Sequence, residues 1–216
     1  IIRHLRPRRV SGRSPPCDNA ASMKNIVILI SGSGSNMAAI VRTAQQERWQ
    51  ERLGARVAAV VSNKAQAGGL QFAQAQGIAT AVVDHKAYDS RESFDAALMA
   101  CIDAHAPSLV VLAGFMRILT PGFVTHYSGR LINIHPSLLP AFAGLHTHQR
   151  AIDAGCKFAG CSVHQVTADL DSGPILEQGL VPVLPGDTAE LLAARVLVQE
   201  HHIYPKAVRA LLQSSR

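Results

Sequence analysis

Asn133 and His135 stand two residues apart in the run Leu131-Ile132-Asn133-Ile134-His135-Pro136-Ser137-Leu138-Leu139-Pro140. Read as an apolar strand entering a loop, the run puts alternate side chains on one face, so the amide and the imidazole point the same way while Ile132 and Ile134 point the other. At ~3.3 Å per residue the two polar groups lie roughly 7 Å apart along the backbone. An amide donor beside a titratable donor at a strand end suits two tasks, stabilising an oxyanion and moving a proton. The plainer reading is a hydrogen-bonded core histidine with a strand-end amide cap, and the pair alone does not decide. Asp171, in an Asp-Ser-Gly-Pro turn, is a candidate third member. Close to His135, it would fix the imidazole tautomer and balance its charge. A turn aspartate bonding its own backbone is the ordinary alternative, and Asp169 competes for the role.

A second group of residues suits anion binding. Ser31-Gly32-Ser33-Gly34-Ser35-Asn36 joins an apolar strand to a helix. Glycines let the backbone approach a ligand, and a helix N-terminus offers unpaired N–H groups and a favourable dipole. The spacing is not the dinucleotide fingerprint, whose third glycine would fall at Met37, and no Gly-Lys-Ser/Thr follows to make a P-loop. An ordinary strand–helix turn capped by Ser35 or Asn36 is the alternative. The glycines and serine hydroxyls favour a single phosphate monoester, held by Gly34, Ser35 and Asn36. Met116-Arg117-Ile118-Leu119 leaves another apolar strand, and in open α/β sheets ligands bind beyond the carboxyl ends of strands. Taken alone, Arg117 reads as a surface charge. His146-Thr147-His148 and His201-His202 lack the i, i+4 spacing with an acid that a zinc hydrolase uses. They read as structural, and no metal is expected.

The elements that must position these residues follow from the apolar pattern. Strands are expected at 25–30, 57–61, 79–83, 109–113 and 130–134, with helices at about 37–49, 69–75, from the Asp89-Ser90-Arg91-Glu92 capping box to near His105, and at 121–127. The alternation predicts an α/β fold, a Rossmann-like open and mainly parallel twisted sheet with helices on both faces. After Pro140 the pattern changes to a helix at 146–154 and two longer strands, 160–166 and 175–183, read as an antiparallel pair. A second capping box, Asp187-Thr188-Ala189-Glu190, opens a long C-terminal helix that Pro205 is expected to kink or restart.

The bulk properties narrow the classes. The chain has 216 residues, 48% hydrophobic and 17% charged, enough for one domain with a sizeable core. Its net charge of +6 is concentrated at the start. Residues 1–22 hold five arginines and one acid, leaving 16 basic against 14 acidic residues of the 21 and 15 in the whole chain. That near-neutral body does not suggest a nucleic-acid surface. The Arg-, Pro- and Ser-rich segment 1–22 is read as a disordered extension upstream of Met23, with 23–216 as a single domain. An Arg-rich targeting peptide needs an amphipathic helix, against which Pro7, Pro15 and Pro16 work. No apolar run reaches the ~18 residues of a membrane span. The four cysteines fit neither a zinc ribbon nor a redox pair, so free thiols in a cytoplasmic protein are expected.

Five segments together resemble the formyltransferase family that uses 10-formyl-tetrahydrofolate: Ile30–Asn36, Ala113–Leu119, Asn133–Pro140, Gly144-Leu145-His146-Thr147-His148 and Asp169–Pro174. Each is modest alone; in this order and spacing they are highly specific, and the likeness runs from about Asn25 to about Tyr204. Within the family the likeness is to the branch that formylates glycinamide ribonucleotide in purine synthesis. The resemblance implies that Asn133, His135 and Asp171 are the catalytic trio, choosing Asp171 over Asp169. It implies that Gly34, Ser35 and Asn36 hold the substrate phosphate and that Glu200 meets the glycinamide-ribose part. Folate contacts fall on Arg91, on Met116, Arg117, Ile118 and Leu119, and on Asn133. Two departures are visible. Ala141-Phe142-Ala143 replaces a loop that often carries Lys and Pro, and Leu197 stands where close bacterial relatives have glutamine.

The resemblance also implies direct attack of the amine on the formyl carbon, with no covalent enzyme intermediate and no metal. Small-molecule substrates are the expected partners, and oligomeric state is left open. The rival readings are a formyl-tetrahydrofolate deformylase, which lacks the Gly-Ser-Gly-Ser-Asn loop and carries an N-terminal regulatory domain, and a non-catalytic nucleotide-binding module, which has no need of the trio. A methionyl-tRNA formyltransferase would need a C-terminal RNA-binding domain.

Overall fold

Ile26 to Ile30 are all 0% exposed, so this strand needs cover on both faces. In the computed structural model it has that cover. The structure describes residues 23–214. The segment 1–22, with its expected disorder and Cys17, lies outside the described residues, as do residues 215–216. Five strands run parallel: β1 (Lys24–Ile30), β2 (Ala55–Ser62), β3 (Ala79–Val82), β4 (Pro107–Leu112) and β5 (Leu131–His135). Two more, β6 (Phe158–Gln165) and β7 (Ile175–Pro182), extend the sheet antiparallel to their neighbours. The order is β3-β2-β1-β4-β5-β6-β7.

Alternate residues of the central strands feed two cores. Ile26, Ile28, Val111 and Ile132 pack against α1 (Ser35–Gln46) and α7 (Ala189–Ser214) through Met37, Ile40, Val196 and Tyr204. Val27, Leu29 and Val110 pack against α4 (Arg91–Asp103) and α5 (Pro121–His126) through Phe94, Leu98 and Phe123. Shorter helices α2 (Trp49–Leu53), α3 (Gly68–Ala75) and α6 (Thr147–Asp153) fill the crossovers. Among the described residues, no helix is long and apolar enough to cross a membrane.

Chain progression reverses between β1 and β4, and that switch point opens a crevice at the carboxyl ends of the strands. The antiparallel step from β5 to β6 sets Asn133 opposite His164 and His135 opposite Ser162. Tyr204, fully buried on α7, donates its hydroxyl hydrogen to the carbonyl oxygens of Leu112 at 2.9 Å and Ile132 at 3.3 Å, tying the helix to the strand ends beside the crevice.

Several boundaries differ from expectation for local reasons. Helix α1 starts at Ser35, not Met37, because Gly34 takes the cap position in the left-handed region (φ 70°) and neither Ser35 nor Asn36 caps the helix. It ends at Gln46, and Trp49 opens a separate helix after a left-handed Arg48. The capping box of α4 is Ser90 with Ser93, one residue later than Asp89 with Glu92. At α7 the Thr188 hydroxyl receives the Leu191 N–H at 3.3 Å, while Asp187 pairs with Arg195 at 2.8 Å instead of capping. Pro205 does not restart the helix, which runs unbroken from Ala189 to Ser214. Buried packing on both sides of the proline, by Val196, Ile203, Tyr204 and Val208, keeps the helix continuous against a cost of ~3 kcal/mol.

Candidate active site

At the switch point a pocket of about 350 Å³ is lined by Ser31 to Asn36, Lys64, Ala113, Gly114 and Met116. The left-handed Gly34 turns the chain into α1 in a space with no room for a side chain: a Cβ there would meet Met37 Cε at 2.9 Å and Gly69 Cα at 3.1 Å. Since no side chain caps α1, its first N–H groups are left for a ligand. An uncapped helix start facing a pocket favours an anion through the dipole as well as through hydrogen bonds. Asn36 is 8% exposed, donates Nδ2 to Glu200 Oε2 at 2.7 Å, and keeps a buried Oδ1 without a partner. Glu200 on α7 is equally buried. Burial pushes its carboxyl above the usual range, with the Asn36 bond and the nearby His135 pulling partly back.

His135 ends β5, with Nδ1 3.3 Å from Asp171 Oδ2 and Nε2 3.1 Å from the Phe142 carbonyl oxygen. A carbonyl can only accept, so Nε2 carries a hydrogen here. Asp171 sits in the left-handed region (φ 51°), tolerable for aspartate, and its Oδ2 also accepts the Gly144 N–H at 3.0 Å. Gly173 lets the turn close. A Cβ there would run into the Gln165 carbonyl oxygen, and the Gln165 N–H donates to Pro174 O at 2.9 Å. Asp169, the rival, is exposed. The loop that carries Phe142 is anchored by Ser162, whose hydroxyl donates to Ser137 O at 2.7 Å and accepts from Leu139 N at 2.9 Å and Gln178 Nε2 at 2.9 Å.

Asn133 shares this cluster. Its Nδ2 lies 3.4 Å from His164 Nε2, and His164 Nδ1 lies 2.9 Å from the Gln165 carbonyl oxygen. Burial holds His164 below the usual histidine range, so it is neutral. The Gln165 carbonyl then requires the hydrogen on Nδ1, leaving Nε2 as acceptor for the amide and 3.8 Å from Asp171 Oδ1. The contact at 3.4 Å is long enough to be exchanged readily for a ligand oxygen.

The segment after β4 forms the opposite wall. Ser31 Oγ accepts the Met116 N–H at 2.8 Å and donates to Asn63 Oδ1 at 2.6 Å, so one hydroxyl joins the β1, β2 and β4 ends. Thr120 N donates to buried Asp95 Oδ2 at 2.7 Å and fixes the far end of the segment. Met116 is 71% and Ile118 67% exposed. Leu145 and Leu170, also exposed, adjoin Gly144 and Asp171. Met116 lines the pocket, and exposed apolar side chains of this kind suit a flat aromatic ligand. Among the described residues, no group of three or more His, Cys, Asp or Glu is arranged to hold a metal ion.

The structure therefore brings Asn133, His135 and Asp171 together, and separately Gly34, Ser35, Asn36 and Glu200, with His135 close enough to Glu200 to affect its charge. Arg91 opens α4, is exposed, and is not brought into either group. Two residues escaped the sequence reading. Lys64, just past the end of β2, was not singled out. His164 was not singled out, although Ser162 and His164 repeat on β6 the alternating polar pair that marked Asn133 and His135 on β5.

Comparison with known proteins gives the family. A family model described as formyl transferase matches residues 24–208. The chain is 52% identical over 184 residues to phosphoribosylglycinamide formyltransferase of Escherichia coli, covering 85% of each chain. It is 42% identical over 184 residues to the trifunctional purine biosynthetic protein adenosine-3 of Homo sapiens, of which it spans 18%. A crystal structure of phosphoribosylglycinamide formyltransferase from Brucella melitensis superposes with a TM-score of 0.82 at 52% identity, covering 90% of this chain and 98% of that one. Glycinamide ribonucleotide transformylase 1 from Symbiobacterium toebii gives 0.84 at 45% identity, covering 94% and 93%. The chain belongs to the formyl transferase family.

Proposed function

We propose that this chain transfers a formyl group from 10-formyl-tetrahydrofolate to the primary amine of glycinamide ribonucleotide, a step of purine biosynthesis. One observation supports the reading: Glu200, bonded to Asn36 in the first turn of the uncapped α1, also lies near His135, which pairs with Asp171. The folate supplies an activated one-carbon unit and a nitrogen leaving group.

The α1 N-terminus and the Gly34, Ser35 and Asn36 backbone hold the acceptor's phosphate. Glu200 accepts hydrogen bonds from its ribose or amide. The backbone of Met116, Arg117, Ile118 and Leu119 receives the pterin ring between exposed apolar side chains, and Arg91 suits the folate's carboxylate tail. Asn133 Nδ2 and the His135 imidazole N–H turn from His164 and Phe142 to the formyl oxygen as it gains negative charge. One such donor is worth ~10²–10³ in rate. Asp171 keeps the His135 imidazolium charged while it holds the oxyanion, and helps relay the proton lost by the attacking amine to the departing folate nitrogen, worth ~10²–10⁴. The new C–N bond replaces the broken one, and no covalent enzyme intermediate is needed.

The test is stoichiometric. Purified protein with both substrates should yield one formylated acceptor per folate consumed, with free formate a minor product. Formate release without acceptor formylation would make the chain a deformylase. Folate binding with neither product would make it a binding module.

A further inference from the structure

We propose that Lys64 is the counter-ion of the acceptor's phosphate and sets the preference for a phosphorylated over a dephosphorylated acceptor. This rests on the reading of the switch-point pocket as the phosphate site. Among the residues that line that pocket, Lys64 is the one cationic side chain. A phosphate monoester carries −1.5 to −2 charges near neutral pH, on the order of its free value. The α1 N-terminus offers only about +0.5 of a charge, and Glu200 next to Asn36 brings a carboxylate towards the same ligand. A full positive charge is therefore needed, and the loop itself contains none.

The turn that carries Lys64 is fastened to the phosphate loop. Ser62 Oγ accepts the Lys64 N–H at 3.1 Å and donates to the Lys64 carbonyl oxygen at 2.9 Å, closing the turn on itself. Asn63 accepts from Ser31 Oγ at 2.6 Å, at the root of the phosphate loop. Gly69, at the start of the next helix, donates its N–H to Gly32 O at 3.1 Å. These four hydrogen bonds hold the Lys64 backbone beside the loop that carries Gly34 and Ser35. The side chain is exposed, and among the described residues its ammonium forms no ion pair, so it can swing onto an incoming anion. A lysine acts here as a flexible point charge, without the planar bidentate geometry of arginine.

The experiment compares wild type, Lys64→Gln and Lys64→Arg in steady-state formyl transfer to glycinamide ribonucleotide and to its dephosphorylated nucleoside, with inorganic phosphate as competitive inhibitor. Melting temperatures confirm folding. Lys64→Gln should raise KM for the phosphorylated acceptor ~10–100-fold, the size of a lost charge-assisted contact, with kcat within a few-fold. KM for the nucleoside should hold, inhibition by phosphate should weaken in parallel, and Lys64→Arg should recover most of the loss. A Lys64→Gln variant that keeps full discrimination, or that loses equally on both acceptors, overturns the assignment of Lys64. A wild type that does not distinguish the two acceptors overturns the phosphate reading of the pocket itself.

Discussion

Asn36 Nδ2 donates to Glu200 Oε2 at 2.7 Å, joining the first turn of α1 to the middle of α7 across 164 positions of sequence. Both side chains are 8% exposed. The bond aims a buried carboxylate at the pocket where the acceptor's sugar would lie, and burial raises the carboxyl above its ordinary range.

Glu200→Gln follows from this. A raised folded-state pKa means the folded protein resists the charge. The penalty is present above the folded pKa and disappears as pH falls through it towards the unfolded value. The variant keeps an acceptor for Asn36 without the buried charge, so its melting temperature at pH 7 should equal or exceed wild type. It should also gain less than wild type on mild acidification. KM for the acceptor should rise ~10-fold or more through loss of a charge-assisted bond. Thermal melts from pH 4 to 8 with acceptor titrations check both, and a strongly destabilised variant would contradict the account.

The neutral His164 gives a second prediction. Its depressed pKa keeps Nε2 unprotonated, as acceptor for Asn133. As pH falls below the ordinary histidine value and through the depressed one, Nε2 gains a hydrogen, releases the amide and turns to Asp171 Oδ1. It then competes with His135 for the carboxylate. Turnover should decline on the acid side, and His164→Asn should lower kcat ~10-fold or more through the loosened Asn133 donor while losing its share of that decline. A kcat–pH profile with an unchanged acid limb would exclude this role.

Ser31 gives a third. The residue is 6% exposed, and its hydroxyl holds the Met116 N–H and Asn63 Oδ1 at once. Ser31→Ala strands both partners in a buried setting, at about 1–3 kcal/mol each when unsatisfied. Melting temperature should fall by several degrees, and KM should rise for folate and acceptor together because one hydroxyl fixes both walls. A change confined to one substrate would show that the walls are independent.

The fold was largely legible because its signals are local. Runs such as Ile26–Ile30 and Leu109–Leu112 are buried on both faces and could only be central strands. Boundaries slipped where two neighbouring residues could each serve: Asp89 and Ser90 both cap helices, and only the Ser93 contact decides between them. Pro205 does not restart its helix because its local cost is outweighed by packing from strands far away in sequence. In the site, Asn133 and His135 stood out as polar residues in an apolar strand. Lys64 and His164 did not, because their meaning lies in partners brought close by the sheet: the Ser31 loop beside the β2 exit, and Asn133 across the β5–β6 register.

The central claim is that the carboxylate 3.3 Å from His135 Nδ1 belongs to the transfer machinery. Asp171→Asn tests it most directly. Asparagine retains an oxygen for the Gly144 N–H, now held at 3.0 Å, so the melting temperature should stay close to wild type. It cannot balance an imidazolium or take part in moving the amine's proton, so kcat for formyl transfer should fall by ~10²–10⁴. A folded Asp171→Asn enzyme with kcat within a few-fold of wild type would contradict the account.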